Sequence, residues 1–175
     1  NSIVIICWYE KEITNPETNC INLVRICFEN RGFDVNIFPF TQIKNELDPI
    51  NYLNRFLHDK NPRYVLFWNW AQIEEEHLKK IKEDHYEKIF VVYNWDDPHC
   101  WNNPPTKFKY FDISFSTCLE TLHKYRELGV TRAEYLLPGY HPLTHYYEEA
   151  EEYKCDISFM CTNLYKKDQA DHDTS

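Results

Sequence analysis

Residues Ile3–Trp8 read IVIICW, six apolar residues with no polar interruption. A strand with one face in water alternates apolar and polar residues. An unbroken run belongs to a strand covered on both faces, as in a parallel sheet. The same signal returns at Tyr64–Trp68 (YVLFW) and Ile89–Tyr93 (IFVVY). Shorter apolar stretches at Val35–Phe38, Tyr110–Phe115 and Tyr135–Leu137 extend the series.

Helical patterns fill the intervals. Asn15-Pro16 offers an N-cap with proline at the first helical position. Cys20, Leu23, Val24, Cys27 and Phe28 then follow at the spacing of a core-facing stripe. Asp48-Pro49 repeats the cap before Leu53, Phe56 and Leu57, and Pro62 closes that segment. Ile73, His77, Leu78 and Ile81 mark a more charged, outer helix, on which His77 and His85 are expected to be solvated. Thr117 is expected to cap a helix carrying Leu119, Leu122 and Leu128. Gly32 and Gly129 each end a helix just before an apolar residue, the pattern of a left-handed C-cap. Strands alternating with helices through short connections predict an α/β fold: a Rossmann-like parallel sheet with helices on both faces. Strand order cannot be read from this pattern.

Composition narrows the classes. The chain has 175 residues, a length that suits one domain of ordinary size. No apolar run approaches the roughly 20 residues of a membrane helix, and no signal-peptide pattern opens the chain. The net charge is −9 with no basic stripe, which argues against nucleic acid as a partner and against attraction to anionic membranes. Seven cysteines, at 7, 20, 27, 100, 118, 155 and 161, form no C-x-x-C pair. They read mostly as small core residues in a reducing compartment, the cytoplasm. Fifteen Asn and 14 Ile against 4 Ala and 3 Gly suggest an AT-rich genome.

The pattern changes after residue 145. Residues 1–145 read as the Rossmann-like domain and 146–155 (YYEEAEEY and its neighbours) as an acidic linker. Residues 156–175, opening with the strand-like DISFM, read as the start of a second domain that is cut off. The only methionine, Met160, is internal, so the chain is read as a fragment.

Ligands of parallel α/β sheets bind beyond the carboxyl ends of the strands. The candidates there are Tyr9 and Glu10 after the first strand, Asn69 and Trp70 after the third, and Asn94–His99 (NWDDPH) after the fourth. Ser116 and Thr117 follow the fifth, and Pro138–His141 the last. Three glycines cannot build G-x-G-x-x-G or a P-loop, so this domain holds no pyrophosphate cradle, and no G-x-S-x-G elbow supports a hydrolase. A phospho-receiver would need its acidic pair after the first strand, where only Glu10 stands. Asp96, Asp97, His99 and Cys100 carry ligand atoms, yet adjacent residues rarely chelate one ion and no second pair has zinc spacing; no metal site is expected. The same Asp96, Asp97 and His99 could supply a general base, with Trp95 and Trp101 flanking them for stacking. Their plainer reading is a capped turn with packed tryptophans.

Tyr93–His99 (YNWDDPH), Phe111-Asp112 with Phe115–Thr117, Tyr135–Pro142 (YLLPGYHP) and Asp156–Phe159 (DISF) follow one another in an order that resembles the first half of CgeB-like, spore-maturation type GT-B glycosyltransferases. The likeness covers roughly residues 64–165, and the family also occurs in large DNA viruses, which suits the composition. It implies an N-terminal, acceptor-side domain, with a nucleotide-sugar donor bound by the other half and commonly no catalytic metal. No cofactor is expected in this chain itself. The resemblance puts Asp96, Asp97, His99, Tyr140 and His141 on the cleft wall, without identifying the base. Substrate-binding candidates are then Tyr9, Glu10, Asn69, Trp70, Trp95, Thr117, Tyr140 and His141, with a sugar, glycan or protein as acceptor. One departure stands: Cys161 and Lys167 replace the glycine and arginine that the family pattern has after its DISF-like strand. The alternative is a non-catalytic Rossmann-like module that docks a glycan or a protein.

Overall fold

The apolar runs pair side by side in one six-stranded sheet, every neighbour parallel, in the order β2-β1-β3-β4-β5-β6. The strands are β1 (Ser2–Cys7), β2 (Asp34–Pro39), β3 (Tyr64–Trp68), β4 (Ile89–Asn94), β5 (Ile113–Ser116) and β6 (Arg132–Tyr135). The helices are α1 (Pro16–Glu29), α2 (Pro49–Lys60), α3 (Glu75–Asp84) and α4 (Leu122–Glu127), with 3-10 turns at Thr106–Tyr110 and Leu119–Thr121. This is a computed structural model that describes residues 1–7, 16–40, 48–69, 73–95, 97 and 106–139. The linker and second domain expected after residue 145 lie outside the described residues, which all fall in the unit Asn1–Gly139.

Strand order decides which helix covers which face. Crossovers between parallel strands are right-handed almost without exception, so reversing the direction of travel across the sheet moves the helix to the other face. The chain steps one way from β1 to β2, then crosses back over β1 to β3 and keeps that direction to β6. Accordingly α2, α3 and α4 share one core through Leu53, Leu57, Leu78, Ile81 and Tyr125, packed on Val65, Phe67, Phe90 and Val92. On the opposite face α1 is the only helix among the described residues, with Ile21, Val24 and Phe28 against Ile3, Ile5, Leu66 and Val91. Period-two alternation of β4 shows the division: Val91 and Tyr93 go to the α1 face, Phe90 and Val92 to the other.

Helix ends follow the local sequence. Asp48 caps α2 by accepting from Asn51 N at 2.9 Å, and Pro49 opens the helix. Asn61 ends it in the left-handed region at φ 40°. Gly32 (φ 79°) and Gly129 (φ 96°) both close full Schellman motifs. Phe33 N bonds Phe28 O at 3.1 Å and Val130 N bonds Tyr125 O at 3.1 Å, and the Phe28 and Phe33 rings meet edge to face at 5.4 Å.

Several expectations need correction. Residues 106–110 wind into a 3-10 turn that buries Phe108 instead of beginning β5, held by Lys109 on Glu75 at 2.7 Å and Lys107 on the Ile73 carbonyl at 2.9 Å. The last strand starts at Arg132 and ends at Tyr135, leaving Leu136 and Leu137 exposed. Cys7 is fully buried as expected of a core cysteine, but Cys27 faces solvent at the edge of the α1 stripe. His77 is exposed, whereas His85 is buried at the foot of α3.

His85 Nε2 lies 2.8 Å from Asn54 Oδ1, while Asn54 Nδ2 donates to Asp84 Oδ2 at 2.7 Å. The amide's orientation makes His85 the donor, so the neutral ring carries its proton on Nε2. Burial, and then the nearby Lys88 charge, hold the imidazole's pKa below its ordinary value. The unfolded chain therefore binds a proton that the folded chain refuses, and this contribution to stability is lost as pH falls from about 6.5 toward the lower folded pKa. Urea midpoints measured at pH 7 and pH 5 should fall less on acidification in His85→Gln than in wild type. Equal falls would show that His85 is not responsible.

Candidate functional site

The single reversal in strand order falls between β1 and β3, which run side by side while their following connections leave in opposite directions. That opens a crevice at the carboxyl ends of these two strands, the usual ligand position in open parallel sheets. Asn69 stands on its β3 side. It adopts the left-handed region at φ 55°, and its N–H donates to Tyr93 O at 2.9 Å, ending the β3–β4 ladder with a turn. Asparagine tolerates this conformation better than most side chains do.

Next to it, β4 runs out into Trp95 and Asp97. Trp95 is partly buried, its ring edge-on to Trp68 at 5.4 Å, and Trp68 meets Tyr93 in the same manner at 5.1 Å. These three rings form an aromatic cluster on the α1 face at the carboxyl end of the sheet. Burial pushes the Tyr93 phenol up to about 12, so it keeps its proton throughout the neutral range.

On the other face the Asp97 carboxylate is held by hydroxyls. Asp97 Oδ2 accepts from Ser116 Oγ at 2.6 Å and from Tyr125 OH at 2.8 Å, with Thr121 Oγ1 at 3.5 Å. Tyr125 has one proton and gives it to Asp97, and its oxygen accepts from Asn94 Nδ2. Ser116 Oγ also accepts from Cys118 N at 3.0 Å, fixing the turn into α4. Thr117 does not cap the following helix; its hydroxyl donates back to Trp95 O at 2.9 Å, and its N–H to Asn94 O at 3.3 Å. Trp95 and Asp97 are thus braced from β5 and α4 through Ser116, Thr117 and Tyr125.

Four of the catalytic and substrate-binding candidates are therefore described: Asn69, Trp95, Asp97 and Thr117, at the ends of three adjacent strands. Tyr9, Glu10, Trp70, Asp96, His99, Tyr140 and His141 lie outside the described residues. Among the described residues no group of three His, Cys, Asp or Glu side chains could hold a metal ion, and no helix is long and apolar enough to cross a membrane. Sequence reading missed Thr121 and Tyr125 as partners of Asp97. The available signal was their i, i+4 spacing, from the end of the 3-10 turn into α4.

Among the described residues at this end of the sheet, the buried polar atoms that make no hydrogen bond include Trp68 Nε1, Tyr93 OH and Asn94 Oδ1. The domain is thus a doubly wound parallel α/β unit with an aromatic and hydroxyl-rich carboxyl edge. No protein-family model matches the chain, and no curated protein matches it either.

Proposed function

We propose that this chain is the acceptor-side domain of a GT-B glycosyltransferase, taking a sugar, glycan or protein acceptor at the carboxyl edge of its sheet. The observation that carries the reading is the bracing of the Trp95–Asp97 segment, by Thr117 on its backbone and by Ser116 and Tyr125 on its carboxylate. A partly exposed tryptophan held in place at a ligand-binding edge suits stacking on a sugar ring. The motif order that resembles the CgeB-like family adds the reaction: an acceptor hydroxyl loses its proton to a base as its oxygen bonds the anomeric carbon and a nucleoside diphosphate leaves.

In this reading Asp97 is a positioning residue, because its carboxylate already serves Ser116 and Tyr125. The base falls to Asp96 or His99 in the same segment. The donor belongs to the other half of the enzyme, and the protein works in a reducing cytoplasm, that of the host if the source is a large DNA virus.

Transfer from a nucleotide sugar by the full-length protein tests this. Removing the base should lower turnover by at least about a hundredfold in Asp96→Asn or in His99→Ala. Near-wild-type turnover in both variants would overturn the catalytic reading. The engagement of Asp97 also favours a second reading, a non-catalytic module that docks a glycan or protein at the same edge. Its mark would be acceptor binding by a full-length protein that never turns a donor over.

A further inference from the structure

Trp68 and Tyr93 are register partners at the carboxyl ends of β3 and β4, both on the α1 face, and 5% and 7% exposed. Each has a polar atom without a hydrogen-bond partner, the indole Nε1–H and the phenolic O–H. A buried donor left unpaired is costly, so two neighbouring ones are an uncommon pairing in a settled core. The Tyr93 hydroxyl is not needed for packing: phenylalanine there would keep the ring and its edge-to-face contact with Trp68.

β3 borders the crevice at the β1/β3 reversal and β4 is the next strand, and Trp95, the partly exposed ring of the cluster, packs on Trp68. The rings of Trp68, Tyr93 and Trp95 meet edge to face around these two donors. Two neutral donors between aromatic walls match a ligand with neutral oxygens and C–H faces.

We infer that Trp68 and Tyr93 form a saccharide subsite, donating Nε1–H and O–H to sugar oxygens while their rings and Trp95 pack against the sugar. The ligand class rests on the acceptor reading above; the unpaired donors do not. The atoms are closed to solvent in the free chain. Binding therefore requires the cluster to open, and Trp95 is the ring at its rim.

The test titrates the full 175-residue chain with methyl glucoside, and separately with inorganic phosphate, following the indole N–H resonances by NMR. Trp68→Phe assigns the Trp68 signal by deleting it. The glucoside should shift that signal and phosphate should not. Tyr93→Phe should leave the urea midpoint of the free chain unchanged or raised, because no hydrogen bond is lost. The same variant should weaken glucoside binding about five- to tenfold, the loss of one hydrogen bond. A Tyr93→Phe chain that is destabilised yet binds glucoside as wild type would show an internal partner and overturn the subsite. So would a Trp68 signal that phosphate moves and glucoside does not, or one that neither moves. Failure here alongside sugar transfer by the full-length protein would sink the subsite and leave the transferase reading standing. A glucoside site in a protein that never turns a donor over would do the reverse.

Discussion

Replacing Asp97 by alanine should lower the unfolding free energy by about 3 kcal/mol. The carboxylate accepts from two hydroxyls of buried residues, Ser116 at 2.6 Å and Tyr125 at 2.8 Å, both 0% exposed. Hydrogen bonds to a charged acceptor contribute about 1.5–3 kcal/mol each, and Ser116 Oγ keeps the Cys118 carbonyl at 3.2 Å and Thr121 Oγ1 at 2.8 Å as other partners. Partial exposure of Asp97 itself screens some of the gain, which keeps the expectation near the lower end of the sum. Asp97→Asn keeps one acceptor oxygen and loses the charge, so its cost should be about half. Chemical denaturation of both variants measures this. A general base with no bracing role predicts the opposite, because removing a carboxylate kept only for chemistry leaves stability unchanged or improved. A loss below about 0.5 kcal/mol in Asp97→Ala would therefore return Asp97 to the list of bases.

The second large effect belongs to Phe67. It sits in β3, next to the middle of the sheet, 1% exposed, with its ring 5.1 Å from Phe111 and 5.7 Å from Phe90. Those neighbours belong to two further segments and cannot all move inward to fill a void. Phe67→Ala should cost about 4 kcal/mol, within the range for deleting a buried aromatic ring. Phe67→Leu should recover much of it by conserving volume. Parallel urea titrations of the two variants would check both numbers, and a cost under about 1 kcal/mol for alanine would mean that the three-ring contact is not packed as described.

What could be read from the chain and what could not divide along a physical line. IVIICW, YVLFW and IFVVY declare buried strands because both faces of each are apolar, a property of the segment itself. Gly32 and Gly129 were legible for the same reason, since only local backbone sterics demand them. Strand order is not local. No residue in β1 records that β2 lies on one side and β3 on the other.

His85 shows a related blindness. In a charged helix end it looks like any solvated histidine, and only Asn54, from another helix, makes it a buried donor. The same holds at the candidate site. Asp97 and Thr117 stood out as polar residues at the correct edge, but the roles they have depend on Ser116, Tyr125 and Trp95 closing around them. The 3-10 turn at Thr106–Tyr110 has no local signature, because Tyr110 and Phe111 have the character of strand residues and the turn is set by Phe108 and Phe111 filling the space beside Tyr125.

The reversal at β1/β3 has a consequence for synthesis. Among the described strands β1 comes first, yet it is paired on both edges, Ile3 with Val35 and later with Tyr64. As the polypeptide emerges, β1 and β2 can form only a two-stranded ribbon with one edge of β1 open. Such a pair is at best marginally stable alone. The open edge closes only when Tyr64–Trp68 appears, after the whole of α2 has been made. Until then a strand destined for burial on both faces waits unpaired on one side, the condition in which nascent chains need protection from one another.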